Sequence, residues 1–140
     1  MANRDPYSFC IGVRQTERTK YPRIFDELLK FLCEKYHIDE NRVFVEYSAR
    51  SPPRLKGGIA GFYEGLLSHR RKEGQNEFLI TVFKVSREPL LTLAHEFAHL
   101  VRNLQSGSFD KDLGPLDEET ERMLDEQAMK DLSEFERKRQ

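Results

Sequence analysis

The sequence has few of the features that define several large classes of protein. It contains only two cysteines, Cys10 and Cys33, and no Cys-x-x-Cys spacing. A disulfide framework is therefore not expected, and a reducing cytoplasmic setting is the default. No apolar run approaches the roughly 18 residues of a membrane span, and the first ten residues lack the apolar segment of a signal peptide. With a formal net charge of −1, no basic excess favours nucleic acid or an anionic membrane.

The composition that is present suits one small domain. A chain of 140 residues can form a single domain with a real core but is too short for two ordinary ones. We find no internal repeats, low-complexity segments or linker. The prediction is a single domain over residues 1–140, with a candidate arm over 1–20 and a candidate tail over 130–140.

The apolar pattern predicts the element order α, β, β, β, α, α, which is an α/β (α+β) domain with a three-stranded mixed or antiparallel sheet covered by helices. The first helix spans about 22–37, and the last begins near Asp117. Between them the pattern predicts a strand over 42–48, a short strand over 59–66 at a sheet edge, a polar turn over 68–76, a strand over 77–84, and a helix that Ser86 caps and that ends near Leu104.

The helix before Leu104 contains "LLTLAHEFAHLV", residues 90–101, in which three polar side chains interrupt an apolar run. Such side chains cost free energy unless they have partners. His95 and His99 are four residues apart, so both imidazoles can reach one metal ion. Glu96 is rotated away from that line and suits a general base for a water that the metal activates. His-Glu-x-x-His also occurs by chance in unrelated proteins, but the uncharged flanks here favour a metal site.

A catalytic zinc ion usually has three protein ligands, and the third is expected from the last helix. Six residues after His99 the chain has Gln105, which excludes the three-histidine pattern of the metzincins. Glu121 and Asp125 lie in line with the apolar stripe of the last helix, where an acid needs a partner. Glu121 is the predicted third ligand, with Glu118 as the alternative. Asp125 is predicted to accept a hydrogen bond from the free ring nitrogen of a ligand histidine.

Taken together, "TLAHEFAHLV" and "ETERMLDEQA" resemble the gluzincin class of zinc metallopeptidases, of which thermolysin is the familiar large member. The Glu-x-x-x-Asp-x-x-Ala spacing from Glu121 to Ala128 is similar to that of the ImmA/IrrE-type peptidases and of the minigluzincins, the small forms of the class. The stretches "GGIAGFYEG" and "EFLITVF" also resemble the strand pair that precedes the active-site helix in these small families. The resemblance covers roughly 57–135 and implies a single small zincin-like domain.

The resemblance also implies a function. The protein would be a cytoplasmic zinc-dependent metalloendopeptidase (a hydrolase) with one Zn²⁺ and a peptide or protein substrate. His95, His99 and Glu121 would bind the metal. Glu96 would be the catalytic base, and Asp125 would orient a histidine. The alternative is a catalytically weak zinc-binding interaction or regulatory module with the same zincin fold.

Large gluzincins supply a Tyr or His from a second subdomain to stabilise the oxyanion, and the sequence has no counterpart of that subdomain. Tyr63, His69 and Arg70 are candidates to replace it, and the sequence does not choose among them. Latency through a homodimer contact or self-inhibition by a terminal segment stays open. The basic stretch at 68–75 is typical of a solvated loop, so neither nucleic-acid nor membrane binding is expected.

Overall fold

Three helices pack on a three-stranded sheet in the computed structural model, which describes residues 22–54, 63–107 and 117–139. These parts of the chain form a small α+β domain. Its elements are α1 (Arg23–Tyr36), β1 (Val43–Ser48), β2 (Gly65–Lys72), β3 (Gln75–Phe83), α2 (Pro89–Ser106) and α3 (Glu118–Arg139). One turn of 3-10 helix, Glu40–Arg42, joins α1 to β1.

The sheet is mixed, with the strand order β1-β3-β2. β3 pairs in parallel with β1 and antiparallel with β2. A tight turn joins β2 to β3 at Glu73 and Gly74, which both have positive φ angles of 54° and 79°. That backbone is typical of a two-residue hairpin turn whose twist matches the strands. Of the two arrangements expected from the sequence, the described strands therefore adopt the mixed one.

The core lies between the sheet and the helices. Side chains alternate along a strand, so every second residue of β1 and β3 points towards the helices. The buried apolar face of α1 supplies the facing layer, and α2 and α3 complete it. The buried core residues include Phe25, Leu28, Leu32, Val43, Val45, Phe78, Ile80, Val82, Leu93, Phe97, Leu100 and Phe135.

Backbone features mark both ends of α2, the helix that carries the His-Glu-x-x-His pattern. Pro89 occupies its first turn, where a missing N–H costs nothing. The predicted cap at Ser86 is wrong, because Glu88 holds the N-cap position without a capping hydrogen bond, and the Ser86 hydroxyl donates to Glu64 instead. At the other end Gly107 adopts a left-handed conformation with φ 73° and its N–H donates to the last turn.

The predicted short strand at 59–66 and the predicted turn at 68–76 are each confirmed only in part. Gly65 and Leu66 are in a strand, and the turn is confined to Glu73 and Gly74. β2 begins only at Gly65 and runs through the basic stretch to Lys72; residues 55–62 lie outside the described residues. Because it pairs with β3, this segment forms a strand despite its polar composition. It also gives a basic side chain a partner, because Arg70 Nη2 lies 2.7 Å from a Glu77 oxygen on β3.

The last helix, α3, starts where the sequence predicts. Asp117 precedes it and accepts a hydrogen bond of 2.9 Å from the Thr120 N–H, a common N-cap arrangement. The helix continues to Arg139, so most of the candidate tail is helical. The candidate arm at 1–20 lies outside the described residues. Within the described ranges, no helix is long and apolar enough to cross a membrane.

Candidate metal centre

Two helices bring the predicted ligands together. α2 carries His95 and His99 one turn apart, and α3 packs against α2 with Glu121 in its first turn. Because Leu93, Phe97 and Leu100 of α2 are fully buried in the core, the helix is fixed in rotation. The two histidines are consequently held on the side that meets α3.

Three ligand atoms of these residues form an almost equilateral triangle. The His95 Nε2 to His99 Nε2 distance is 3.2 Å, and Glu121 Oε1 lies 3.2 Å from His95 Nε2 and 3.3 Å from His99 Nε2. A tetrahedral zinc ion with bonds of about 2.0–2.1 Å separates its ligand atoms by about 3.3–3.4 Å. The spacing therefore fits three protein ligands of one zinc ion, and the three residues are half-buried.

The donor set and its protonation also suit zinc. Two imidazole nitrogens with one carboxylate oxygen are typical of zinc, whereas magnesium and calcium prefer oxygen ligands alone. Burial lowers the pKa of His99 below its usual value, although the Glu121 carboxylate opposes the shift. The neutral imidazole that results is the form that binds a metal.

Glu96 does not belong to the triangle and borders an adjacent cavity. It is half-buried and lines a cavity of about 510 Å³ together with His95. Burial raises the pKa of Glu96 to about 8, and the charge of Glu121 adds to the rise. A divalent cation at the triangle would oppose this rise, because positive charge favours the carboxylate form. The predicted base is thus placed beside the predicted ligands but separate from them.

Asp125 lies next to the ring nitrogen of His95 that faces away from the triangle. Asp125 Oδ1 is 3.4 Å from His95 Nδ1, and that nitrogen is buried without a hydrogen bond of good geometry. A shift of a few tenths of an ångström would bring the pair within the usual range for an N–H···O bond. The alternative ligand Glu118 is exposed at the start of α3 and does not contribute to the triangle.

The three candidates for oxyanion stabilisation have different surroundings. Tyr63 lines the same cavity as Glu96, and its hydroxyl is buried without a hydrogen-bond partner. His69 Nε2 lies 2.8 Å from Asn76 Oδ1, and Arg70 pairs with Glu77. Among these three, Tyr63 is the one that the structure places beside the predicted base.

One further residue of this region, Gly65, was not predicted from the sequence. Gly65 opens β2 and lines the cavity with Glu96. A glycine within a strand can indicate that another part of the chain approaches closely. The glycines of 59–66 predict a bulge or an edge position, and among the described strands β2 does lie at an edge; they do not predict the neighbouring helix.

Comparisons with known proteins add no relative. No family model, no curated protein and no solved structure matches this chain. The resemblance to the gluzincins therefore rests on the sequence motifs alone, and the case for the site rests on its geometry.

Proposed function

We propose that the protein is a zinc-dependent metalloendopeptidase with one zinc ion, of the gluzincin type with a zincin-like fold. The observation that carries the proposal is the triangle of His95, His99 and Glu121 with sides of 3.2–3.3 Å. A carboxylic acid at the adjoining cavity, Glu96, supplies what a hydrolase needs and a purely structural zinc site does not.

Each residue of the centre has one role in this proposal. His95, His99 and Glu121 would hold the ion, which when bound lowers the pKa of a water and polarises the scissile carbonyl. Glu96 takes the water proton and returns it to the leaving amine. Asp125 accepts the Nδ1–H of His95 and thereby directs the lone pair of Nε2 to the ligand triangle.

The sheet offers a place for an extended substrate. β2 is an edge strand among the three described strands, and its first residue, Gly65, lines the cavity beside Glu96. A peptide that adds to this edge by backbone hydrogen bonds would pass the cavity, so its carbonyl groups would come close to the base. A peptide or protein is accordingly the proposed substrate class.

Glu96→Gln tests the proposed chemistry. The amide keeps the shape of the side chain but cannot take a proton, so hydrolysis of denatured casein should fall at least about 100-fold while one zinc ion stays bound. The matched control is Glu126→Gln on the exposed side of α3, which should cleave like wild type. Cleavage by Glu96→Gln at the wild-type rate would refute the mechanism.

The alternative of a zinc-binding module without turnover predicts a different result. Wild-type protein would then bind zinc stoichiometrically and leave denatured casein intact with or without a chelator. The metallopeptidase predicts cleavage that a chelator stops and that added zinc restores.

A further inference from the structure

The backbone of β2 approaches α2 more closely at Gly65 than a side chain would permit. An ideal Cβ at this position would lie 2.6 Å from Thr92 Cγ2, 3.1 Å from Glu96 Cγ and 3.1 Å from the Thr81 carbonyl oxygen. Carbon atoms in contact normally stay about 3.5–4.0 Å apart. Glycine is thus required here for close approach, which is a different reason from a positive φ.

Two of the three close contacts involve the helix that carries the predicted base. Thr92 and Glu96 are one turn apart on α2, so they lie on the same face. A Cβ at position 65 would therefore crowd the first carbons of the Glu96 side chain at the rim of the cavity that both residues line. What occupies position 65 affects where the carboxyl group of Glu96 can lie.

A chain of hydroxyl hydrogen bonds holds the strand and the helix at this separation. Ser86 Oγ donates to Glu64 Oε1 at 2.8 Å, and Thr92 Oγ1 lies 2.9 Å from Ser86 Oγ. With the Ser86 hydroxyl already donating, Thr92 is the donor of the second bond. Glu64 precedes Gly65, so the first turns of α2 are tied to the start of β2 beside the close contact.

We propose that Gly65 is a positioning residue for Glu96, an inference that rests on the proposed metallopeptidase function. Because Gly65 has no side chain, the strand backbone leaves the space beside Glu96 Cγ free, and the Glu96 side chain can keep its place at the rim of the cavity. A Cβ at position 65 would displace Thr92, the Glu96 side chain or the strand.

The Gly65→Ala substitution alone would combine a displacement of Thr92 with a displacement of Glu96, because its closest contact is with Thr92 Cγ2. Thr92→Ser removes the Cγ2 atom and keeps the hydroxyl, so the double variant Gly65→Ala/Thr92→Ser loses the 2.6 Å contact. It retains the two contacts at 3.1 Å, with Glu96 Cγ and with the Thr81 carbonyl oxygen. Thr92→Ser alone is the reference. We expect the double variant to match this reference in unfolding midpoint and zinc affinity. Its kcat should fall about 10-fold with KM little changed, because a shift of a few tenths of an ångström is smaller than the roughly 1 Å misplacement that costs about 100-fold.

A binding measurement separates failure of this inference from failure of the proposed function. Acetohydroxamate chelates zinc and donates a hydrogen bond to a carboxylate beside the ion. Its affinity for the zinc-loaded protein, measured by calorimetry, should fall in the double variant about as far as in Glu96→Ala. If wild type cleaves no peptide, the proposed function fails, yet the hydroxamate comparison still tests Gly65. Unchanged hydroxamate affinity in the double variant would overturn the positioning role, as would unchanged kcat.

Discussion

At the scale of single residues, His95 contacts side chains of both helices of the candidate centre. Its Nε2 faces His99 and Glu121, and its Nδ1 faces Asp125. A neutral imidazole carries its proton on one nitrogen alone. The proton must sit on Nδ1 if Nε2 is to bind a metal, and Asp125 is the acid beside Nδ1 that can accept it.

Removal of Asp125 should therefore weaken metal binding without removing a ligand. We expect Asp125→Ala to lower zinc affinity by about 10- to 100-fold, measured by competition with a chromophoric chelator. Glu119→Ala is the matched control, because Glu119 is an exposed acid of the same helix that pairs with Arg122. Equal zinc affinity for Asp125→Ala and wild type would show that Asp125 does not orient His95.

At the scale of elements, one buried acid connects α3 to α1. Asp131 is 2% exposed and accepts hydrogen bonds from Lys35 Nζ at 2.7 Å, Tyr36 Oη at 2.7 Å and Gln127 Nε2 at 2.9 Å. A buried carboxylate with three donors is well satisfied. This cluster fixes the far half of α3, and the same rigid helix carries Glu121 to the ligand triangle.

Asp131→Ala should destabilise the fold, because Tyr36 and Lys35 of α1, both half-buried, lose the acceptor that they share. We expect a loss of about 2 kcal/mol in the free energy of unfolding, measured by urea denaturation of the metal-free protein. Glu134→Ala is the control. Glu134 also pairs with Lys35, at 2.6 Å, but is 32% exposed, so its loss should cost less than about 1 kcal/mol. Equal stability of the two variants would contradict the role given to Asp131.

The elements that the sequence predicted well are those whose signal is local. The apolar period of α1 and the alternation of β1 depend only on neighbouring residues, and both elements lie where expected. β2 was misplaced because its basic residues become a strand only through pairing with β3. Ser86 was mistaken for a cap because its hydroxyl finds a partner far along the chain, Glu64.

The same distinction applies to the candidate site. The spacing of His95 and His99 is local, so sequence alone could put both imidazoles on one face. Glu121 could be chosen over Glu118 only through the apolar stripe of the last helix, and the structure places Glu121 in the triangle. The role of Gly65 could not be predicted from the sequence, because it depends on how closely a strand and a helix approach each other.

At the scale of the whole molecule, the contact between α1 and α3 makes stability depend on pH in the alkaline range. Although burial alone would lower it, hydrogen bonds to Asp131 and Glu134 raise the pKa of Lys35 above its usual value. Burial and the bond to Asp131 raise the pKa of Tyr36 to about 12. In both cases the folded state holds its proton more tightly than the unfolded state does.

A group with a raised folded-state pKa contributes its full share to stability below its unfolded pKa, which is about 10 for tyrosine and about 10.4 for lysine. That share is lost as the pH rises further, because the unfolded chain releases its protons first. The contribution of Lys35 and Tyr36 to the free energy of unfolding should therefore fall above about pH 10, and Tyr36→Phe should make the decline in that range shallower. Urea denaturation between pH 8 and 11 measures this, and a flat profile for wild type would contradict it.

The candidate centre depends on the whole molecule, since it exists only when α2 and α3 pack together. Its zinc affinity can be compared in wild type, Glu121→Ala and Glu118→Ala with one competing chelator. We expect one tightly bound zinc ion in wild type and in Glu118→Ala, and an affinity at least about 100-fold weaker in Glu121→Ala because a ligand is lost. Wild-type protein that binds no zinc, or Glu121→Ala that binds it as tightly as wild type, would show that these residues do not form a zinc site.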